Sequence, residues 1–103
     1  MKDLVRKWLT DQVGDEDETL LETIYGDYVD TICEQLVKAK GEIARGDFIA
    51  LDVTAHTLKG ATLTVGDTET YEAVIALRDA AKGSNATAAS LALARLVAMK
   101  DLL

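Results

Sequence analysis

Apolar residues recur along this chain at helical spacing, and the recurrence breaks at glycine. Gly14-Asp15, Gly46-Asp47, Gly66-Asp67 and Gly83-Ser84 each pair a residue that ends helices with one that favours the N-cap of the next. Five segments result. The first, Lys2–Val13, sets Leu4, Val5, Trp8 and Leu9 on one face, which predicts a short helix laid across a bundle end with Trp8 as packing. The second, roughly Glu16–Arg45, keeps Leu20, Leu21, Ile24, Tyr25, Tyr28, Ile32, Leu36, Val37 and Ile43 on a broad apolar side. Gly26-Asp27 repeats the glycine–aspartate pairing. The stripe runs through it, however, and predicts one helix, bent or frayed at Gly41. In Asp47–Val65 a narrow stripe joins Phe48, Leu51, Ala55, Leu58, Thr62 and Val65, with Thr62 at its edge. Thr68–Lys82 turns Tyr71, Val74, Ile75, Leu77 and Ala81 inward in part. Asn85–Leu103 offers Leu91, Leu93, Leu96, Val97, Met99, Leu102 and Leu103, with alanines between. Long helices joined by very short turns predict an all-α fold: an antiparallel up-down-up-down four-helix bundle with a short additional N-terminal helix as lid.

Composition narrows this picture. A chain of 103 residues supports one domain, 1–103, with one core. Prolines are absent and aromatics are 5%, so that core is aliphatic. Net charge is −7 and uneven: residues 1–30 hold nine acids and three bases, and the remainder nine and eight. This balance argues against a nucleic-acid partner. Asp15-Glu16-Asp17-Glu18 complements the positive end of a helix dipole and lacks the ligand spacing of a calcium loop, so no metal is expected. Cys33 is single and sits in an apolar stretch, which excludes an internal disulfide, fits a reducing cytoplasm and predicts a buried small side chain. The N-terminus has no signal-peptide pattern, and the richest apolar run, Ala86–Met99, is interrupted by Arg95. A soluble cytoplasmic protein is expected, and Met1 favours a complete chain. No nucleotide-binding glycine loop, metal cluster or Ser-His-Asp set can be placed.

Chemistry enters at His56, the only histidine. At 100° per residue Asp52, His56, Lys59, Gly60 and Leu63 fall together on a face away from the apolar stripe. Gly60 lies inside the helical run, where a glycine costs about 1 kcal/mol relative to alanine. A neutral imidazole is a competent nucleophile near neutral pH, its unperturbed pKa being about 6.5. A phosphoryl group on its nitrogen adds negative charge that an ammonium at i+3 neutralises. A glycine at i+4 leaves room for that group and for an approaching protein loop. Ile49 and Val53 lie beside His56, either packed by a neighbouring helix or forming an apolar docking rim. The plain alternative is a surface histidine in a pattern that recurs by chance.

His56-Thr57-Leu58-Lys59-Gly60-Ala61 resembles the H-x-L-K-G-[SA] signature of histidine-containing phosphotransfer (HPt) domains, the carriers of multistep phosphorelays. Gly66 is similar to the glycine that commonly closes the same helix in that family, while Ala61-Thr62 departs slightly from the usual Ser-Ala or Ala-Ala. In architecture the likeness runs from about Leu4 to the C-terminus. The resemblance implies a phosphocarrier that takes phosphoryl on His56 from a receiver-domain aspartate and passes it to another receiver. It would have no kinase activity of its own. It implies charge stabilisation by Lys59, space at Gly60, and an approach of Arg78 and Lys82 to the phosphoryl group, although a plain solvated face also explains those two. Ile49, Asp52, Val53 and Leu63 are the corresponding docking candidates. Implied partners are response-regulator receivers and a hybrid sensor histidine kinase; the chain is expected to be a monomer without membrane insertion. No cofactor of its own is implied, Mg²⁺ belonging to the receiver. Two other readings stand beside this one: a docking module for receivers or kinases that is not phosphorylated, and a structural helical bundle with His56 incidental.

Overall fold

Asp17, Asp47, Asp67 and Asn85 each accept a hydrogen bond from the backbone N–H three residues on, and so begin four helices. The computed structural model describes residues 1–14 and 17–103. Its helices are α1 (Asp3–Val13), α2 (Glu18–Arg45), α3 (Phe48–Val65), α4 (Thr68–Lys82) and α5 (Ala86–Lys100), and the described residues contain no strand. Asp15 and Glu16 of the acidic run lie outside the described residues.

The 28-residue α2 continues through both Gly26-Asp27 and Gly41, as its unbroken stripe predicts. Gly46 and Gly66 close α2 and α3 in the left-handed region, at φ 67° and 66°. The last turn corrects the sequence reading. Gly83 has φ −84°, Ser84 takes the left-handed conformation at φ 51°, and the N-cap is Asn85.

The five helices form a bundle of 46 × 20 × 19 Å. α2 packs against α3 and α5, α4 packs against the same two, and α1 rests on α2 and α3. Leu21, Ile32, Leu51, Leu58, Leu77 and Leu96 are fully buried at the centre. In α3 the stripe expected to face inward does so: Leu51, Ala55, Leu58, Thr62 and Val65 are buried and Phe48 partly so. Thr62 is wholly buried rather than at the edge, its hydroxyl donating to the Lys59 carbonyl at 2.7 Å. That local bond satisfies a polar group the apolar interior would otherwise penalise.

Three further expectations need correction. In α5 the buried face is Ala89, Ala92 and Leu96, while Leu91 stands 69% exposed and Leu102, beyond the helix end, 82%. Small residues Ala89 and Ala92 share the inner face with Leu96 where α5 packs on α2 and α4, Leu93 is partly buried, and Leu91 turns outward. Leu20 and Val37 of α2 are exposed, whereas Glu42 of the same helix is buried, accepting from Thr54 Oγ1 at 2.6 Å across the α2–α3 contact. Cys33 is half-buried, on a groove between α2 and α5.

The α3–α4 turn carries a buried polar cluster. Asp67 receives Tyr28 Oη and Thr70 Oγ1 at 2.7 Å each on Oδ2, and Lys2 Nζ at 3.0 Å and the Thr70 amide at 3.3 Å on Oδ1. A carboxylate offers about four acceptor positions, and all are filled. Burial alone would raise the pKa of Asp67, but hydrogen bonds from Tyr28, Thr70 and Lys2 outweigh it and hold the group below its ordinary value. Burial, reinforced by the bond to Asp67, pushes the Tyr28 phenol well above its own. Lys2 thus ties the start of α1 to the bundle, with Val5 and Leu9 buried behind it. Trp8 is 42% exposed, yet its ring lies over Gly66 and its Nε1 donates to the Thr64 carbonyl at 3.4 Å.

Candidate functional site

α3 holds its inner stripe so firmly that the azimuth of every other residue on the helix follows. With Leu51, Ala55, Leu58 and Thr62 in the core, His56 is exposed near the middle of the helix. Ile49, Asp52, Val53, Lys59, Gly60 and Leu63 lie at i−7, i−4, i−3, i+3, i+4 and i+7 from it, so they share its face. This face is markedly apolar around the histidine. Ile49 is 85%, Val53 60% and Leu63 53% exposed, and they form an open rim whose Leu63 end borders α1 at Leu4 and Trp8.

Lys59 is half-buried, and no ion pair among the described residues engages it. Its ammonium is one turn from the imidazole, within reach of an anion bound there. A Cβ on Gly60 would meet nothing within 4 Å. The fold therefore does not require glycine at this position, where the residue weakens the helix. Gly26 on α2 is equally open, so openness alone marks no site. What distinguishes Gly60 is its place one turn from the only histidine and next to a free cation.

The structure treats the two α4 cations differently. Arg78 Nε reaches Asp52 Oδ1 at 3.2 Å, on the His56 face one turn before the histidine. Both partners are partly solvated, so the pair is weakly held and exchangeable. Lys82 is exposed and enters no ion pair among the described residues. Asp52 is thus a partner of Arg78 rather than a free acid, a pairing that one-dimensional spacing does not reveal.

Sequence reasoning also missed a shallow groove beside this face, between α2 and α3. Ile24, Ala61 and Val65 give it apolar walls, Thr31, Thr57 and Thr64 contribute hydroxyls, and Asp27 and Tyr28 complete the lining, Asp27 with a carboxylate. The hydroxyls of Thr57 and Thr64 bond to carbonyls one turn back, Val53 at 3.3 Å and Gly60 at 2.9 Å. The alternation of threonine with small residues at Thr57, Ala61 and Thr64 was the available signal.

Among the described residues no cluster of His, Cys, Asp and Glu has the makings of a metal site. No helix among the described residues is long and apolar enough to cross a membrane. Chemically, the arrangement presents one nucleophilic nitrogen, one nearby cation, a gap in the side-chain cover and an apolar surround. Comparisons with protein-family models, with curated proteins and with solved structures returned no match for this chain.

Proposed function

We propose that this chain is an HPt-type phosphocarrier of a multistep phosphorelay, with His56 as the phosphoryl acceptor. The observation that carries the reading is the conjunction on one face of α3 of an exposed imidazole, an ammonium at i+3 with no ion-pair partner among the described residues, and a glycine at i+4 that the fold does not require. In the forward step an imidazole nitrogen attacks the phosphorus of an aspartyl phosphate on a receiver domain. The N–P bond forms as the P–O bond to the aspartate breaks, and the carboxylate leaves with the bonding pair. Lys59 offsets the charge gathered on the phosphoryl oxygens, Gly60 admits the receiver's loop, and the reverse step onto another receiver uses the same contacts. Ile49, Val53 and Leu63 supply the apolar docking contact, with Asp52 at its edge. Arg78, released from Asp52 by the arriving negative charge, and Lys82 are further sources of positive charge. The Mg²⁺ that receiver chemistry needs belongs to the partner. An up-down-up-down arrangement of α2 to α5 accords with two- and three-residue turns and with the order in which the helices touch. A monomer working in the cytoplasm, between a hybrid sensor kinase and response regulators, completes the proposal.

The test is transfer from a phosphorylated receiver, followed as acid-labile, base-stable phosphate on the full chain. Uptake that vanishes in His56→Gln supports the carrier. Binding of receivers without uptake would replace it by a docking module, and neither binding nor uptake across a broad receiver panel would leave a structural bundle. Lys59→Ala should keep the acceptor and slow the transfer, because one charge-assisted contact is lost.

A further inference from the structure

A second surface lies on the other side of the molecule. α5 touches α2 and α4 but not α3, so the seam between α2 and α5 is separate from the His56 face. Along this seam two shallow depressions share Lys40, Leu93 and Val97 and so form one trough. Cys33 and Lys100 mark one end, Ala44 and Ser90 the other. From Cys33 to Ala44 the trough is about 16 Å long, at 1.5 Å per residue, which matches about three turns of a helix.

Its lining is apolar and one-signed. Leu36, Val37, Ile43, Leu93 and Val97 supply the walls, and Val37 is 75% exposed with no packing role in the chain. The charged side chains on it are Lys40, at the middle, and Lys100, at one end; no carboxylate lines it. In a chain of net charge −7 this is a cationic exception. Lys40 has no ion-pair partner among the described residues, and Lys100 is matched only by its exposed neighbour Asp101 at 3.0 Å.

We propose that the α2–α5 trough is a docking site for an acidic amphipathic helix of a partner protein. The apolar side of that helix, at i, i+4 and i+7, fills the space between Leu36, Val37, Leu93 and Val97, and its flanking carboxylates meet Lys40 and Lys100. Charge decides among occupants. Two copies of this chain joined symmetrically through the trough would set lysine against lysine. An anionic membrane favours a protruding apolar stripe over a concave seam. An acidic helix satisfies both the shape and the sign. Docked there, it leaves the His56 face open, so a partner held on α2 and α5 and a second protein acting at α3 bind together. The proposal does not depend on the phosphocarrier reading.

The test uses the full ¹⁵N-labelled chain and two synthetic helical peptides of about 12 residues. One carries leucines at i, i+4, i+7 and i+11 flanked by glutamates; the other replaces the glutamates by lysines. The expected result is amide shift changes confined to residues 33–44 and 90–100 with the acidic peptide, and binding at least about tenfold weaker with the basic one. Lys40→Glu, a surface change that leaves the circular dichroism spectrum intact, should weaken the acidic peptide by a similar factor and strengthen the basic one. Any of four results overturns the proposal: no shifts in these segments at about millimolar peptide, below any useful affinity; equal binding of both peptides; shifts that appear on concentrating the chain alone, which assign the trough to a second copy; or shifts produced only by phosphatidylserine vesicles, which assign it to a membrane.

Discussion

Asp67 and Asp47 are the same residue in the same local role, and replacing each by alanine separates capping from burial. Asp47 is exposed, and its carboxylate makes one cap bond, to the Ala50 amide at 3.1 Å. Asp47→Ala should cost about 1 kcal/mol, the usual loss for an N-cap. Asp67 caps α4 in the same way, but its side chain is fully buried and also holds Tyr28, Thr70 and Lys2. Asp67→Ala loses the cap, at about 1 kcal/mol. It leaves the buried Tyr28 hydroxyl without its acceptor, about 1–3 kcal/mol, and removes a charged hydrogen bond from Lys2, about 1.5–3 kcal/mol. The total is about 3.5–7 kcal/mol, a large part of the roughly 5–15 kcal/mol that holds a domain of this size folded. Urea denaturation followed by circular dichroism measures both variants. Equal losses, within about 0.5 kcal/mol, would refute any contribution of the buried cluster beyond the cap. The pH dependence gives a second reading. Because the pKa of Asp67 is depressed on folding, the unfolded chain binds this proton more tightly than the folded one. The stabilisation is complete above the unfolded value of about 4 and is lost as pH falls through the folded value. Wild type and Asp67→Asn should therefore differ most near neutrality and converge in acid, and a gap that stayed constant down to about pH 3 would contradict the assignment.

The two contrasting glycines of α3 give another test. Gly60→Ala should raise stability by a few tenths to about 1 kcal/mol, since its methyl meets open space, whereas Gly60→Leu should fold and yet block transfer. Gly66→Ala should destabilise by at least about 1 kcal/mol, because φ is +66° and the new Cβ would fall 2.6 Å from Trp8 Cδ2; melting curves report both signs. Thr54→Val removes the donor that Glu42 Oε1 meets in the interior and should cost about 1–3 kcal/mol, and restoration of the loss in Thr54→Val/Glu42→Leu would show that the polar pair, not the local shape, was responsible. His56→Gln should change the melting free energy by no more than about 0.5 kcal/mol, as an exposed side chain does; a larger loss would mean that the imidazole is part of the fold.

The sequence by itself determined the helices and the azimuth of α3. Gly46-Asp47 and Gly66-Asp67 mark the starts of α3 and α4, whereas α2 and α5 are capped further on, by Asp17 and Asn85. A stripe as narrow as Leu51, Ala55, Leu58, Thr62 and Val65 admits one inward orientation, which puts His56, Lys59 and Gly60 on the outer side. Periodicity carries this information because an α-helix turns by a constant angle whatever surrounds it. It carried less where hydrophobic size and burial part company. In α5 the leucines were the stronger apolar signal, but the inner face against α2 and α4 is Ala89, Ala92 and Leu96, with Leu91 outside. The choice depends on how close neighbouring helices come, which no single helix encodes. Tertiary structure alone decided the pairs between distant residues: Asp52 with Arg78, Thr54 with Glu42, and Lys2 and Tyr28 with Asp67. A polar side chain reads the same in the sequence whether water or a buried partner satisfies it, and only the packed bundle sets which of the two is within hydrogen-bonding distance.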